Sequence, residues 1–173
     1  MTVIRCVALA IALSFWSGAA SAADQVIFLV RHAERATTSA GQPAGRAMMG
    51  DDPPLADAGH QRAVRLAALL ASAEIKHIFT TEYLRTRQTA APLAERLNIK
   101  AIMGAAQDPE PFVQQIRKAS GNVLVVGHSN TIPELIKRLG VTRAITIADN
   151  EYDNLFVVVR HDAGEPTLFR LRY

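Results

Sequence analysis

Two histidines follow the two most apolar short segments of the sequence. Residues 25–30 (QVIFLV) lead to His32 through one arginine, and residues 123–126 (VLVV) lead to His128 through one glycine. Short, almost wholly apolar runs are typical of strands that are buried on both faces of a parallel sheet. Ligands bind beyond the carboxyl ends of such strands, where a neutral imidazole can act as a nucleophile or move a proton. The spacing predicts that both histidines lie at one edge of a sheet.

Two arginines are expected at the same edge. Arg31 precedes the first histidine, and Arg85 follows another short segment, residues 76–80 (KHIFT), that is expected to be a strand. The planar guanidinium group matches phosphate oxygens in two-point contacts. A helix that is expected to begin near Asn130 would add backbone amides and the positive end of its dipole. Two arginines and two histidines around one anion predict a phosphate-binding pocket.

The rest of the chain alternates between segments typical of strands and of helices. This alternation predicts an α/β fold, a three-layer αβα sandwich with a mostly parallel central sheet. The expected strands are residues 25–30, 76–80, 99–103 and 123–126, followed by a terminal hairpin of residues 155–159 and 167–171. The expected helices are residues 58–73, 82–97, 109–119 and 131–139.

Several residues predict local features of these elements. Asp57 is expected to cap the first helix and Asp108 the third. Pro92 should kink or split the second helix. Residues 33–54 contain several glycines and prolines and predict a long loop of the kind that is often functional. The inward face of the first helix is expected to consist of Val64, Leu66, Ala67, Leu69 and Leu70.

The first residues have the pattern of an export signal. Arg5 precedes an apolar run at residues 6–16, and small residues follow, with Ala20-Ser21-Ala22 as a cleavage pattern. The apolar run is shorter than the roughly 20 residues of a membrane-spanning helix, although an uncleaved anchor is an alternative. We expect a signal peptide at residues 1–22, cleaved after Ala22 or Ala23. The domain of residues 23–173 would then be periplasmic or secreted, without stable membrane insertion.

Composition excludes several classes of protein. The 173 residues are 49% hydrophobic and 20% charged, which is too apolar for a disordered chain. The formal net charge of +3 suits an anionic partner. The basic residues are dispersed and no aromatic-basic motif accompanies them, so we expect no nucleic-acid binding. No motif typical of a metal site is present, and the sequence assigns no oligomeric state.

Four segments together resemble the histidine phosphatase superfamily, also called phosphoglycerate mutase-like. They occur in the family's order and are residues 29–34 (LVRHAE), 55–59 (LADAG), 80–90 (TTEYLRTRQTA) and 125–130 (VVGHSN). Ala56 stands where the family usually has threonine or serine. The short chain resembles the compact first branch of the superfamily.

The resemblance implies phosphoryl transfer in two steps, without a cofactor or metal. His32 would be the nucleophile, and Arg31, Arg85 and His128 would hold the non-bridging oxygens of a small phosphorylated substrate. The expected protein is an exported phosphatase that hydrolyses phosphomonoesters or phosphoramidates through a phosphohistidine. The alternatives are a phosphoglycerate mutase-type phosphotransferase and a non-catalytic phosphate-binding domain of the same fold.

The residue that protonates the leaving group is left open by the sequence. The segment after the second helix lacks the family's glutamate pattern, and the candidates are Glu82, Asp108, Glu110 and Asp149, with Glu151 as a further one. Asp108 is interpreted as a helix cap. Further candidates for contact with the substrate are Ser129, Asn130 and Glu34. Glu34 could instead orient Arg31 or His32, or simply lie on the loop.

Overall fold

The computed structural model describes residues 24–37 and 52–173. Strands and helices alternate as the sequence predicts, up to a terminal hairpin. The strands are β1 (Gln25–Arg31), β2 (Ile75–Thr81), β3 (Ile102–Gly104), β4 (Asn122–Gly127), β5 (Asn154–Arg160) and β6 (Thr167–Arg172). The helices are α1 (Asp57–Leu69), α2 (Leu84–Leu97), α3 (Pro109–Lys118) and α4 (Thr131–Arg138).

The six strands form one sheet in the order β3-β2-β4-β1-β5-β6. The pairs β1–β4, β2–β4 and β2–β3 are parallel, and β5 and β6 add an antiparallel edge. The predicted α/β fold with a mostly parallel sheet is therefore confirmed. Because β1 and β4 are parallel neighbours, the residues after both strands emerge at the same edge.

The sheet separates two hydrophobic cores. On one face, Ile27 and Leu29 of β1 pack with side chains of α3 and α4 such as Ile116 and Ile136. On the other face, Val30 packs with side chains of α1 and α2 such as Leu66. Alternate residues of β1 thus serve opposite cores, as side-chain alternation along a strand requires. The arrangement is a three-layer αβα sandwich.

The first helix differs from its prediction. Its N-cap is Ala56, without a side-chain hydrogen bond, and Asp57 is the first helical residue. The expectation that Asp57 caps the helix is therefore wrong, although its carboxylate still lies in the first turn, where the helix dipole favours negative charge. The helix ends at Leu69, and Val64 and Leu69 are exposed rather than inward-facing. Of the predicted inward positions, Leu66, Ala67 and Leu70 are buried.

Helix α2, strand β3 and the start of α3 can also be compared with their predictions. Pro92 does not split α2, which is one helix from Leu84 to Leu97, two residues shorter at its start than expected. The strand expected at residues 99–103 is shorter, β3, at the edge of the sheet. Asp108 caps α3 as predicted, because its side chain accepts a hydrogen bond from the Glu110 amide.

The predicted signal peptide at residues 1–22 lies outside the described residues, as do residues 38–51 of the predicted long loop. The ends of that loop approach each other, because Arg35 and Leu55 form an antiparallel bridge. Within residues 24–37 and 52–173, no helix has the length and apolar character needed to cross a bilayer.

Candidate active site

The carboxyl ends of β1 and β4 bring the two predicted histidines together. Arg31 pairs with Gly127 in the parallel register, so each strand end is followed by its histidine. The His32 amide donates a hydrogen bond to the Gly127 carbonyl at 2.8 Å. The imidazole centroids of His32 and His128 lie 5.3 Å apart in an edge-on arrangement. The predicted juxtaposition of the two rings is therefore present.

The rings open into a pocket of about 250 Å³. All four residues that the sequence assigned to phosphate chemistry line it, together with two of the predicted contact residues. The lining consists of Arg31, His32, Arg35, Tyr83, Arg85, Ala106, Gln107, His128, Ser129, Asn130 and Thr131. Several cations thus face one concave space, which is the electrostatic requirement of a phosphate site.

The His32 ring is fixed with one nitrogen available. Its Nδ1 lies 2.7 Å from the Ala33 carbonyl, which can only accept, so Nδ1 carries the proton. The lone pair is then on Nε2. Burial, and to a lesser extent the nearby His128, Arg85 and Arg31, together lower the pKa of His32 to about 3, against the opposing hydrogen bond to Ala33. His32 is therefore neutral at ordinary pH, as a nucleophile must be.

His128 is held in the opposite tautomer. The Arg85 guanidinium lies 3.5 Å from Nδ1 and can only donate, which leaves the proton on Nε2. Nε2 lies 2.9 Å from the Thr81 hydroxyl, which in turn lies 3.0 Å from the Thr86 hydroxyl. Thr86 donates to the Tyr83 carbonyl at 2.7 Å. Burial, and then the charges of Arg85 and Arg31, lower the pKa of His128 to about 4.

Arg85 is positioned by contacts at the start of α2. Its guanidinium carbon lies 4.2 Å from the centroid of the Tyr83 ring. The Asp52 carboxylate lies 3.3 Å from the Arg85 guanidinium. The same carboxylate accepts from the Leu84 amide at 2.9 and 2.8 Å. Asp52 thereby satisfies the amino end of α2 and orients Arg85 at the same time.

Arg31 is held by the segment before β5. Its Nη1 donates to the carbonyl oxygens of Ala148 and Asp149, both at 2.9 Å, and of Glu151 at 3.3 Å. The Tyr152 ring stacks on the same guanidinium, with 4.2 Å from the Arg31 Cζ to the ring centroid. The orientation of Arg31 is therefore set by an element far away in sequence.

The proposed general acids do not line the pocket. Glu82 accepts from the Ala106 amide, Asp108 caps α3, and Glu110 forms an ion pair with Arg138. Asp149 contributes its backbone carbonyl to Arg31. None of the four carboxylates is among the described residues around the rings, so the structure places no candidate acid there.

Glu34 is placed differently from the expectation. Its carboxylate accepts hydrogen bonds from Arg62 at 2.7 and 3.0 Å, and it does not line the pocket. Partial burial opposes ionisation, but the hydrogen bonds from Arg62 hold the pKa of Glu34 below its usual value. Glu34 therefore joins the loop after His32 to α1 and contacts neither Arg31 nor His32 through its carboxylate.

Sequence reasoning missed several residues around the pocket. Tyr83, Arg35 and Gln107 line it, and Tyr152 packs against Arg31 from outside the lining. Tyr83 and Arg35 each lie within a few residues of a predicted site residue, which was a usable signal. Gln107 and Tyr152 lie in irregular segments and are brought in only by the tertiary fold. Among the described residues, no group of three or more His, Cys, Asp or Glu side chains could hold a metal ion.

Comparison with known families finds a match over part of the chain. Residues 27–106 match the sequence model of the histidine phosphatase superfamily, branch 1. This stretch includes Arg31, His32 and Arg85. The comparison with proteins of curated function finds no match.

Solved structures share the whole fold. The protein histidine phosphatase SixA complexed with tungstate is 18% identical, with a TM-score of 0.65, and the alignment covers 85% of this chain and 96% of that one. A mycobacterial glucosyl-3-phosphoglycerate phosphatase is 13% identical, with a TM-score of 0.63 and coverage of 84% and 97%. Residues 27–106 therefore resemble branch 1 of the histidine phosphatase superfamily, and the solved structures share the fold of the chain.

Proposed function

We propose that this protein is a phosphatase that uses His32 as its nucleophile. The main support for this proposal is the protonation and placement of the His32 ring. It is neutral, its Nδ1 proton is donated to the Ala33 carbonyl, and it lines a pocket with Arg31, Arg85 and His128. A lone pair on Nε2 beside several cations suits attack on a phosphorus atom whose oxygens are held by those cations.

The reaction would proceed in two displacements. The Nε2 lone pair forms the N–P bond while the bond from phosphorus to the leaving group breaks. The positive charge that develops on the imidazole is stabilised by the Nδ1–H bond to the Ala33 carbonyl, which lies 2.7 Å away. Water then attacks phosphorus, the N–P bond breaks, and inorganic phosphate and neutral His32 are restored. The arginines supply orientation and charge stabilisation throughout.

The experiment is hydrolysis of p-nitrophenyl phosphate combined with trapping of the intermediate. The denaturing quench is alkaline, because N–P bonds of phosphohistidine hydrolyse in acid. Wild-type protein should release nitrophenol and carry an alkali-stable phosphate on His32. The His32→Ala variant should do neither while keeping its melting temperature within a few degrees. Phosphate binding without turnover or a trapped phosphate would instead support a non-catalytic phosphate-binding domain, and transfer to a second phosphorylated acceptor would support a mutase.

The substrate is proposed as a phosphomonoester or phosphoramidate. The names of the two structural neighbours mention a protein histidine phosphatase and a phosphatase of glucosyl-3-phosphoglycerate, so both bond types occur among proteins of this fold. The carboxylates of Glu82, Asp108 and Glu110 are engaged elsewhere, and Asp149 does not line the pocket. We therefore expect rates that rise steeply as the leaving group becomes a weaker base. Rates for a series of substituted phenyl phosphates and for phosphoramidate would measure this dependence.

Metal independence and export complete the proposal. Because side-chain cations would hold the phosphate, activity should survive dialysis against EDTA, and its loss with recovery on adding a divalent cation would refute metal independence.

The export signal proposed at residues 1–22 predicts a mature chain that begins at Ala23 or Asp24. Mass spectrometry of protein from cell fractions would show this amino terminus, and a soluble chain that begins at Met1 would contradict export.

A further inference from the structure

A four-residue turn before β5 holds the guanidinium of Arg31. The Glu151 amide donates to the Ala148 carbonyl at 3.0 Å, which closes the turn from residue 148 to residue 151. The carbonyl oxygens of Ala148, Asp149 and Glu151 all point to Nη1 of Arg31, at 2.9, 2.9 and 3.3 Å. Three acceptors converge on one nitrogen, so the shape of the turn determines where the guanidinium lies.

The Glu151 side chain closes the same turn a second time. Its Oε2 accepts from the Ala148 amide at 2.9 Å. The carboxylate is itself held by two arginines of β6, by Arg172 at 2.8 Å and by Arg170 at 3.1 Å. The Glu151 carboxylate therefore connects the arginines of β6 to the turn, and the turn itself contacts Arg31 of the pocket.

We propose that Glu151 is a positioning residue for phosphate binding, which acts by clamping the 148–151 turn so that its carbonyl oxygens orient the Arg31 guanidinium toward the pocket. This inference rests on the proposed function only in taking the phosphate as the ligand of Arg31. It assigns to Glu151 a role other than that of a general acid. Tyr152, the next residue, stacks on Arg31 and is carried by the same turn.

The protonation state of Glu151 agrees with this role. The hydrogen bond from the Ala148 amide, and then that from Arg172, lower the pKa of the carboxyl to about 2. Glu151 is therefore ionised at neutral pH and has no proton to donate to a leaving group. An ionised carboxylate is the stronger acceptor for the turn's amide.

Asp153 provides a matched control. It also forms an ion pair with Arg172, and its side chain is similarly placed just before β5. Its carboxylate has no hydrogen bond to the 148–151 turn among the described contacts. Asp153→Asn therefore removes a comparable surface ion pair without altering the clamp.

The test compares Glu151→Ala, Glu151→Gln and Asp153→Asn in the mature protein. Binding of inorganic phosphate is measured by calorimetry, and KM and kcat with p-nitrophenyl phosphate. Glu151→Ala should raise the Kd for phosphate and the KM about tenfold, since a charge-assisted hydrogen bond and the orientation of Arg31 are lost. Glu151→Gln keeps an acceptor for the Ala148 amide and should recover part of the affinity. Asp153→Asn should stay within twofold of wild type.

The outcomes separate positioning from general stability. A merely structural role would lower the active fraction, and hence kcat, while KM and Kd stayed unchanged. That result would overturn the proposal, as would equal losses of affinity in Asp153→Asn and Glu151→Ala. If the wild-type protein binds phosphate but has no turnover, the proposed phosphatase function fails, and the phosphate affinities of the variants still decide the role of Glu151.

Discussion

The two histidines of the pocket differ in which nitrogen carries the proton. His32 donates from Nδ1 to a backbone carbonyl, which leaves the Nε2 lone pair available. His128 donates from Nε2 to the Thr81 hydroxyl, which leaves its Nδ1 toward Arg85. Neighbouring groups thus give one residue type two different roles. The proposed nucleophile His32 thus has its lone pair on Nε2, whereas His128 has its lone pair on Nδ1.

We predict that Thr81→Val weakens catalysis by releasing the tautomer of His128. The buried Nε2–H would lose its acceptor, which typically costs about 1–3 kcal/mol, and the ring could turn or change tautomer. We expect kcat/KM for p-nitrophenyl phosphate to fall roughly tenfold. Histidine ¹⁵N chemical shifts would report the tautomer of His128 directly.

The neighbouring Thr80 supplies the control for this variant. It is also fully buried, but its hydroxyl has no hydrogen-bond partner among the described residues. Thr80→Val should therefore preserve the kinetics and, by removing an unsatisfied hydroxyl, should not lower stability. Wild-type kinetics and an unchanged tautomer in Thr81→Val would refute the role of the threonine chain.

Among the elements, α2 connects the backbone beside His32, the proposed nucleophile, to Arg85. Thr89 lies one turn after Arg85 and donates its hydroxyl proton to the Arg85 carbonyl at 2.8 Å. The same hydroxyl accepts from the Ala33 amide at 3.0 Å. The helix therefore fixes both the backbone beside His32 and the base of the Arg85 side chain. This hydroxyl is buried, so water does not replace it readily.

We predict that Thr89→Val lowers both stability and kcat. The buried Ala33 amide would lose its partner, which should cost about 1–3 kcal/mol of unfolding free energy. Urea unfolding and steady-state kinetics measure the two effects. Thr89→Ser keeps the hydroxyl and should stay close to wild type in kcat. If Thr89→Val and Thr89→Ser have equal activity, the bridge does not position the nucleophile.

Helix α1 is joined closely to the segment after His32. The Ala56 amide donates to the Glu34 carbonyl at 2.9 Å. A Cβ placed on Gly59 would lie 2.2 Å from that carbonyl oxygen, which is backbone and cannot move aside cheaply. The glycine of the LADAG segment is therefore explained by close packing of a helix against the loop that carries Glu34.

We predict that Gly59→Ala destabilises the protein although alanine favours helices. Overpacking against the Glu34 carbonyl should cost about 1–3 kcal/mol, which exceeds the roughly 1 kcal/mol that alanine gains over glycine in a helix. Thermal unfolding would measure the difference. A variant as stable as wild type would mean that α1 shifts without cost.

At the scale of the whole molecule, the local sequence pattern was enough to predict which residues lie at the ends of neighbouring strands. Apolar runs and the residues next to them were enough to bring His32 and His128 to one edge, because neighbouring parallel strands align their ends. Contacts such as Arg31 with the 148–151 turn join residues more than 100 positions apart. No periodicity records such a contact, so Glu151 could be recognised only as a carboxylate near the last hairpin.

The difference between local sequence pattern and tertiary contacts also explains why the predictions for Asp57 and Glu34 were wrong. Asp57 has the residue type of a cap, but the cap position falls one residue earlier, on Ala56, whose amide bonds the Glu34 carbonyl, and Asp57 is the first helical residue. The Glu34 carboxylate has the position of a site residue, but Arg62 of α1 binds it. Tertiary contacts therefore decided among roles that the residue type alone left open.

The burial of two neutral histidines has a consequence for the stability of the whole chain. His32 and His128 have pKa values of about 3 and about 4 in the folded protein, against 6.5 for an ordinary histidine, chiefly because burial disfavours their charged forms. Well above pH 6.5, both the folded and the unfolded chain keep them essentially neutral. As the pH falls below 6.5, the unfolded chain takes up protons that the folded chain does not.

We predict that the unfolding free energy decreases between pH 6.5 and pH 4.5, before most carboxylates titrate. Each proton that only the unfolded state binds contributes up to about 1.4 kcal/mol per pH unit. Urea unfolding at pH 7.5, 6.5, 5.5 and 4.5 measures the slope. A double variant, His32→Gln with His128→Gln, removes both titrating groups and should have a flatter profile of unfolding free energy against pH. His60→Gln, at an exposed position of α1, provides the control. A slope unchanged in the double variant would show that the pocket histidines are protonated alike in both states, which would contradict the lowered pKa values of His32 and His128.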